Sequence, residues 1–565
     1  MPASPHFGRP SQGSAASRRS PCDHCRTRIA PPRAAPIEEK QALPRASGVL
    51  AHPTSFPGRH GIGDLGDAAF RFVDWLVIAG QRFWQVLPLN PIGPGNSPYA
   101  SPSAFAANPL LISLDWLAGD GLLTAAEVDD HPPFASHEVD FAAVTAFKTD
   151  RLRRAFDAFM AGHAPDRRAS FDAFVERHAH WLDDYALFEA LKDEHQGRSW
   201  TTWEPALIHR EPVALARAKT DLADDIRFHQ WVQFQVRRQW DELHRYANDR
   251  DVRVIGDLPI FVAHDSADVW AHQDLFRLDA EGRALVVAGV PPDAFTDQGQ
   301  LWGNPMYDWP ANRQTHYAWW IDRVRATLEL VDLVRIDHFR GFLAAWGVPS
   351  DSQTAATGHW VKGPGEDIFD AMREALGALP FIVEDLGLIT PDVVKLRTDL
   401  GLPGMKVLQF GFDTGPDNAY LPHNYERDCV VYPATHDNQT TIGWFQTRSE
   451  WERHNVQRYL GKDGSDIAWD LIRLALASVA DLAVLPLQDI MRLGDEARMN
   501  TPGRAFGNWG WRYQAHQLHQ GLGAGLGELT ATYGRRGPLD RAVGVSPFDY
   551  TAPDSAYRLA ESDAS

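Results

Sequence analysis

Four carboxylates in the sequence stand where short apolar runs stop. Asp257 ends residues 252–257, Asp337 ends 334–337, Glu384 (followed by Asp385) closes 381–385, and Asp437 sits in Thr435-His436-Asp437-Asn438, just beyond 429–432. One carboxylate at such a place is ordinarily a helix N-cap or a solvated turn residue. Four around a single cleft crowd negative charge together, which costs stability unless the chemistry uses it. Arg335 precedes Asp337 by two residues, so strand alternation puts both side chains on one face. A guanidinium there favours the ionised carboxylate that a nucleophile requires; the alternative is a purely structural ion pair. Glu384, crowded by other carboxylates, is pushed the opposite way and is suited to hold a proton as an acid. An ionised carboxylate facing a protonated one is the equipment for cleaving a glycosidic bond.

Such residues need strands to carry them. Eight short runs, at 48–50, 83–87, 252–257, 334–337, 381–385, 405–410, 429–432 and 482–485, are apolar without alternation. That pattern suits strands buried on both faces of a parallel sheet. Helical spacing fills the gaps: Phe228, Val232, Val236, Leu243 and Ala247 share one face of a helix expected over 225–248. Thr390-Pro391 reads as an N-cap and first helical residue, with Val393, Val394, Leu396 and Leu400 following. Eight β-then-α units predict an α/β fold, a (β/α)8 TIM barrel, with an open doubly wound sheet as the alternative. Residues 88–251 and 258–333 are too long for plain loops. They predict subdomains inserted on the catalytic face at about 105–225, rich in helix, and about 262–330, rich in Trp, Pro and Gly.

Composition excludes several classes. The 565 residues carry 55 Lys+Arg against 74 Asp+Glu, a net charge of −19, so a phosphate backbone or anionic membrane surface would be repelled. Every long apolar stretch is broken by a charge, leaving no membrane span. With only Cys22, Cys25 and Cys429, a disulfide scaffold is excluded and a reducing, cytoplasmic location is expected. The 20 Trp are mostly core packing by this reading, with some free to stack on the apolar faces of sugar rings. Residues 1–45, rich in Pro, Ser, Ala and Arg, read as a flexible leader and 546–565 as a polar tail around a catalytic body at 46–545. The leader is also transit-peptide-like in charge, without amphipathic support. Cys22 and Cys25 are half a zinc site at most, since no second Cys pair follows.

The motifs themselves carry a resemblance. Val334-Arg335-Ile336-Asp337-His338-Phe339-Arg340-Gly341, Glu384-Asp385-Leu386-Gly387 and Thr435-His436-Asp437-Asn438 resemble those of 4-α-glucanotransferases, the amylomaltases of glycoside hydrolase family 77. The likeness runs in order from about Gly48 to Trp511 and takes in His52-Pro53-Thr54-Ser55, Ser97-Pro98-Tyr99, Trp302-Gly303-Asn304-Pro305 and 497–503. It implies Asp337 as nucleophile, Glu384 as acid/base and Asp437 as the transition-state carboxylate. It further implies that Arg335 supports the nucleophile and that His436 and Asp257 hold the sugar at the cleavage point. Tyr99 and Trp302 would line the donor and acceptor sides, with Ser97 and Asn508 among the binding residues. The implied reaction is transfer of α-1,4-glucan segments from a maltodextrin donor to glucose or another maltodextrin, with no metal or organic cofactor. Its retaining form places Asp337 and Glu384 ~5–5.5 Å apart. Pro94, Ala100, Ala294 and Gln439 depart from the family pattern and bear on distal glucan contacts rather than on the three carboxylates. An α-glucan hydrolase on the same scaffold and a catalytically silent glucan-binding protein are the rival readings. A metal enzyme fits poorly, because Asp337-His338 and His436-Asp437 are adjacent residues that point to opposite faces of a strand.

Overall fold

The computed structural model describes residues 43–292 and 297–536. Most of the leader, with Cys22 and Cys25, the polar tail and Ala294 lie outside the described residues. Among the described residues, twelve strands form two sheets: β1 (Ala46–Leu50), β2 (Phe83–Gln85), β3 (Arg253–Leu258), β4 (Val286–Val290), β5 (Gln300–Pro305), β6 (Leu333–Ile336), β7 (Ala344–Pro349), β8 (His359–Lys362), β9 (Phe381–Val383), β10 (Gly404–Val407), β11 (Cys429–Tyr432) and β12 (Leu482–Pro486).

Eight of them pair in parallel in the order β10-β11-β12-β1-β2-β3-β6-β9. These are the eight apolar runs, and their order in space follows their order in the chain. Val383 N–H donates to Pro403 O at 3.0 Å, so the last neighbour meets the first and the sheet closes into a (β/α)8 barrel. Asp385 reinforces that seam, accepting from Met405 N–H at 2.7 Å and pairing with Arg397 at 3.2 Å. A Cβ on Gly404 would collide with the Asp385 carboxylate, so the seam needs glycine there.

The barrel strands are largely apolar because each alternates between two buried layers. Phe83, Ile255, Leu333, Ile382, Met405, Val430, Leu482 and Val484 fill the barrel interior. Their neighbours Trp84, Val254, Val334, Val383, Val431, Ala483 and Leu485 pack outward against the helices. The helix at Ala223–Asn248 presents Phe228, Val232, Val236, Leu243 and Ala247 to that outer layer, all buried. In the helix at Pro391–Asp399, Val393 and Leu396 are buried, but Val394 points to solvent, since i and i+1 cannot share a helix face.

Between β2 and β3 the chain adds long helices at Phe141–Met160 and Arg168–Glu194. The second sheet is antiparallel, in the order β5-β4-β7-β8. Its β4 and β5 lie before the fourth barrel strand, β6, and β7 and β8 after it. Two separate excursions from the barrel therefore build one small sheet, which the sequence reading did not anticipate. This sheet carries Trp302 on β5.

Candidate active site

Alternation along the barrel strands decides which side chains reach its centre. Ile255 and Leu333 face inward, so Asp257, Arg335 and Asp337, each displaced by two or four residues, face inward as well. The β3/β6 register sets Asp257 directly opposite Arg335. Arg335 Nη1 reaches both oxygens of Asp257, at 2.7 and 2.8 Å, and Asp337 Oδ1 at 3.0 Å. The guanidinium is thus shared, with Asp257 as its closer partner. Burial alone would depress it, but the charges of Asp257 and Asp337 outweigh burial and hold it well above the usual arginine range. Tyr99 OH donates to Asp257 Oδ2 at 2.8 Å and completes the cluster.

Asp257 was expected to hold the sugar. Its side chain has no exposed surface, and both oxygens are engaged by Arg335 and Tyr99. Burial pushes its carboxyl up, and Arg335 opposes that shift. Replacing Arg335 by Met leaves this buried carboxylate unpaired and is expected to cost about 3–5 kcal/mol, read from urea unfolding. Adding Asp257→Asn to that variant is expected to restore part of the loss.

Glu384 follows β9. His338 takes the left-handed conformation, φ 53°, rare for a residue with a side chain, and its N–H donates to Glu384 Oε2 at 2.8 Å. Leu386 N–H donates to Oε1 at 2.7 Å. These bonds favour the ionised form, yet burial and then the negative charge of Asp337 push the Glu384 carboxyl up to about 7. The direction agrees with the sequence expectation; the leading cause is burial rather than crowding by carboxylates.

Asp437 lies on the loop after β11 and is 45% exposed at its side chain. Asn500 Nδ2 donates to its Oδ1 at 2.7 Å, and Arg498 Nη2 donates to its backbone carbonyl at 2.7 Å. His436 Nε2 is 3.4 Å from the same Oδ1. The His436 ring stacks on Tyr99 with centroids 5.2 Å apart and 15° between planes, and Trp509 packs on both rings. Trp302 meets His338 edge-on at 4.9 Å and is 38% exposed.

A cleft of about 1060 Å³ is lined by Ser97, Tyr99, Trp302, Asp337, His436, Asp437 and Asn508 among others; Glu384, Arg335 and Asp257 lie behind that lining, in reach of Asp337 through its charge or through Arg335. Two of the expected binding residues are engaged elsewhere through their side chains. Ser97 Oγ accepts from Tyr99 N–H at 3.2 Å and so shapes the turn that presents Tyr99. The Asn508 amide accepts from Thr501 N–H at 3.0 Å and donates to Arg504 O at 2.9 Å, bracing the rim loop. Pro94 and Ala100 also line the cleft. Gln439 is tied to Asp495 at 2.5 Å. Asn500 and the His338 amide were missed as functional groups. Both lie inside recognisable motifs, but nothing local shows which carboxylate each one meets.

The arrangement is a buried cation shared by two carboxylates, a third carboxylate whose titration is pushed up to about 7, and a fourth at the rim beside aromatic platforms. A family model described as 4-alpha-glucanotransferase, glycoside hydrolase family 77, matches residues 51–518. A 4-alpha-glucanotransferase of Synechocystis is 51% identical over 496 residues, 87% of this chain and 98% of that one. One from Thermus thermophilus is 49% identical over 492 residues, 86% and 98% of the two chains. An amylomaltase from Streptococcus agalactiae, solved in complex with acarbose, superposes with a TM-score of 0.85 at 37% identity, covering 87% of this chain and 100% of that one. With its motifs, its barrel and these relatives in agreement, this chain belongs to the 4-alpha-glucanotransferase family.

Proposed function

We propose that this chain transfers segments of α-1,4-glucans to the 4-hydroxyl of glucose or a maltodextrin by a retaining double displacement. Asp337 Oδ attacks the anomeric carbon; the bond to the leaving 4-oxygen breaks, and that oxygen takes the proton from Glu384. In the second half an incoming 4-hydroxyl attacks the same carbon. Its proton returns to Glu384, and the Asp337–glucosyl bond breaks. Asp437, with one oxygen held by Asn500, offers the other to sugar hydroxyls and to the positive charge that develops at the ring. Tyr99 and His436 form the platform under the sugar at the cleavage point, and Trp302 stands on the acceptor side. The observation that supports this reading most is the Glu384 carboxyl pushed up to about 7 by burial and by Asp337, which Arg335 in turn contacts at 3.0 Å.

Catalysis needs Glu384 protonated, and the proton is lost as pH rises through about 7. The kcat/KM profile is therefore expected to fall above pH ~7, about tenfold per unit, with an apparent pKa that belongs to the Asp337–Glu384 pair. A profile flat to pH 9 contradicts this assignment.

The reading is tested by incubating the protein with maltotriose and resolving the products by chain length. Glucose together with a ladder of longer maltodextrins is the expected result. Glucose and maltose alone would mean that water wins the second step, and binding without turnover would mean a glucan-binding protein. We take 46–545 as the catalytic body, with the inserts near 105–225 and 262–330 shaping the cleft. Scarce cysteine supports a cytoplasmic location. Among the described residues, no helix is long and apolar enough to cross a membrane.

A further inference from the structure

A second cavity, of about 230 Å³, lies between the helix at Arg168–Glu194 and the segment from Ala267 to Trp319, and shares no lining residue with the catalytic cleft. Its volume is that of about eight waters at ~30 Å³ each, the scale of one hexose ring. Aromatic rings form one side. Trp181 stacks on Phe105, 14° between planes with centroids 6.1 Å apart, so a ligand ring can use only the opposite face of Trp181, and Trp319 meets Phe105 edge-on at 6.0 Å. Trp181 is only half-buried, so its ring is not simply core.

Acceptors and donors form the other side. Asp268 is 5% exposed, and among the described residues only Ala104 N–H, at 2.7 Å, reaches its carboxylate from another residue. One of roughly four acceptor positions is thus used. His272 and Asp274 follow on the same segment, and His180 precedes Trp181; none of the three side chains makes a hydrogen bond among the described residues. Flat apolar rings opposite unused carboxylate and imidazole groups match a ligand with one apolar face and a rim of hydroxyls, that is, a sugar ring.

We propose that this cavity is a secondary binding site for an α-glucan chain, with Trp181 as the stacking platform and Asp268, Asp274 and His272 as partners for sugar hydroxyls. The choice of ligand rests on the glucan reading of the catalytic cleft; the site itself does not. A polymer engaging both places gains effective concentration at the catalytic carboxylates, whereas a trisaccharide occupies only one. The site therefore acts on long donors and not on short ones.

The test titrates maltoheptaose calorimetrically into the full chain carrying Asp337→Asn, which binds without turning over. Two independent sites are expected, and one after either Trp181→Ala or Asp274→Ala is added. Asp274 is exposed, so its variant keeps the test sound if the Trp181 variant misfolds. In the otherwise unaltered enzyme, Trp181→Ala is expected to raise KM for soluble amylose about fivefold and leave maltotriose kinetics unchanged. A single site that neither variant alters overturns the second site and leaves the cleft reading intact. Absence of any maltoheptaose binding overturns the glucan reading itself. Spermidine binding that Asp274→Ala removes, with no maltoheptaose site lost, overturns the sugar assignment in favour of an organic cation.

Discussion

Replacing Asp337 by Asn lowers kcat/KM for maltotriose by about 10⁴-fold or more, the scale of loss when a nucleophile is removed from a concerted set. The amide cannot attack the anomeric carbon, and its neutral nitrogen cannot carry the glucosyl group. The fold survives the change. Arg335 keeps both oxygens of Asp257, and the Asp337 side chain is itself 29% exposed, so no buried charge is stranded. The variant also removes one of the two influences that push Glu384 up, so that carboxyl titrates lower than about 7. Steady-state kinetics beside a thermal melt separate the two effects: activity is lost while Tm stays within a few degrees. A variant that retains a tenth of the activity would mean that another group makes the covalent bond.

Glu384→Gln is expected to lower kcat/KM for maltotriose about 10³-fold, because the leaving 4-hydroxyl then departs without a proton. The donor decides how much returns. With α-glucosyl fluoride the leaving group needs no protonation, so the first half-reaction proceeds and the glucosyl–enzyme accumulates for want of a base in the second. The fall in rate above pH ~7 disappears with the carboxyl that causes it. Stopped-flow release of fluoride checks this, as a burst of about one equivalent in the variant. An absence of rescue by the fluoride would place the acid elsewhere.

The barrel was legible because its strands are buried twice. Leu482 and Val484 face the interior while Ala483 and Leu485 face the helices, so the run at 482–485 has no polar position to disguise it. The small sheet was not legible. Its central pairing, β4 with β7, joins Val287 to Val348 across a barrel strand, and Gly289 and Gly347 dilute both runs. The same limit applied in the site. Arg335 and Asp337 share a face by local alternation, and that much could be read. That Asp257 takes the guanidinium more closely follows from the β3/β6 register, which no local pattern encodes. Glu384 and Asp385 look alike in sequence, yet one turns toward Asp337 and the other closes the barrel seam on Met405 and Arg397. Asn500 reaches Asp437 from a distant loop, which only the closed fold brings near.

The double displacement requires a covalent bond between the glucosyl group and the carboxylate of Asp337. It is tested most directly by treating the Glu384→Gln protein with α-glucosyl fluoride, quenching in acid, and mapping the peptides by mass spectrometry. The peptide containing Asp337 is expected to gain the mass of one glucosyl residue, with Asp337 as the modified residue. A glucosyl group found on Asp437 or Asp257, or complete fluoride release with no adduct on any peptide, would contradict it.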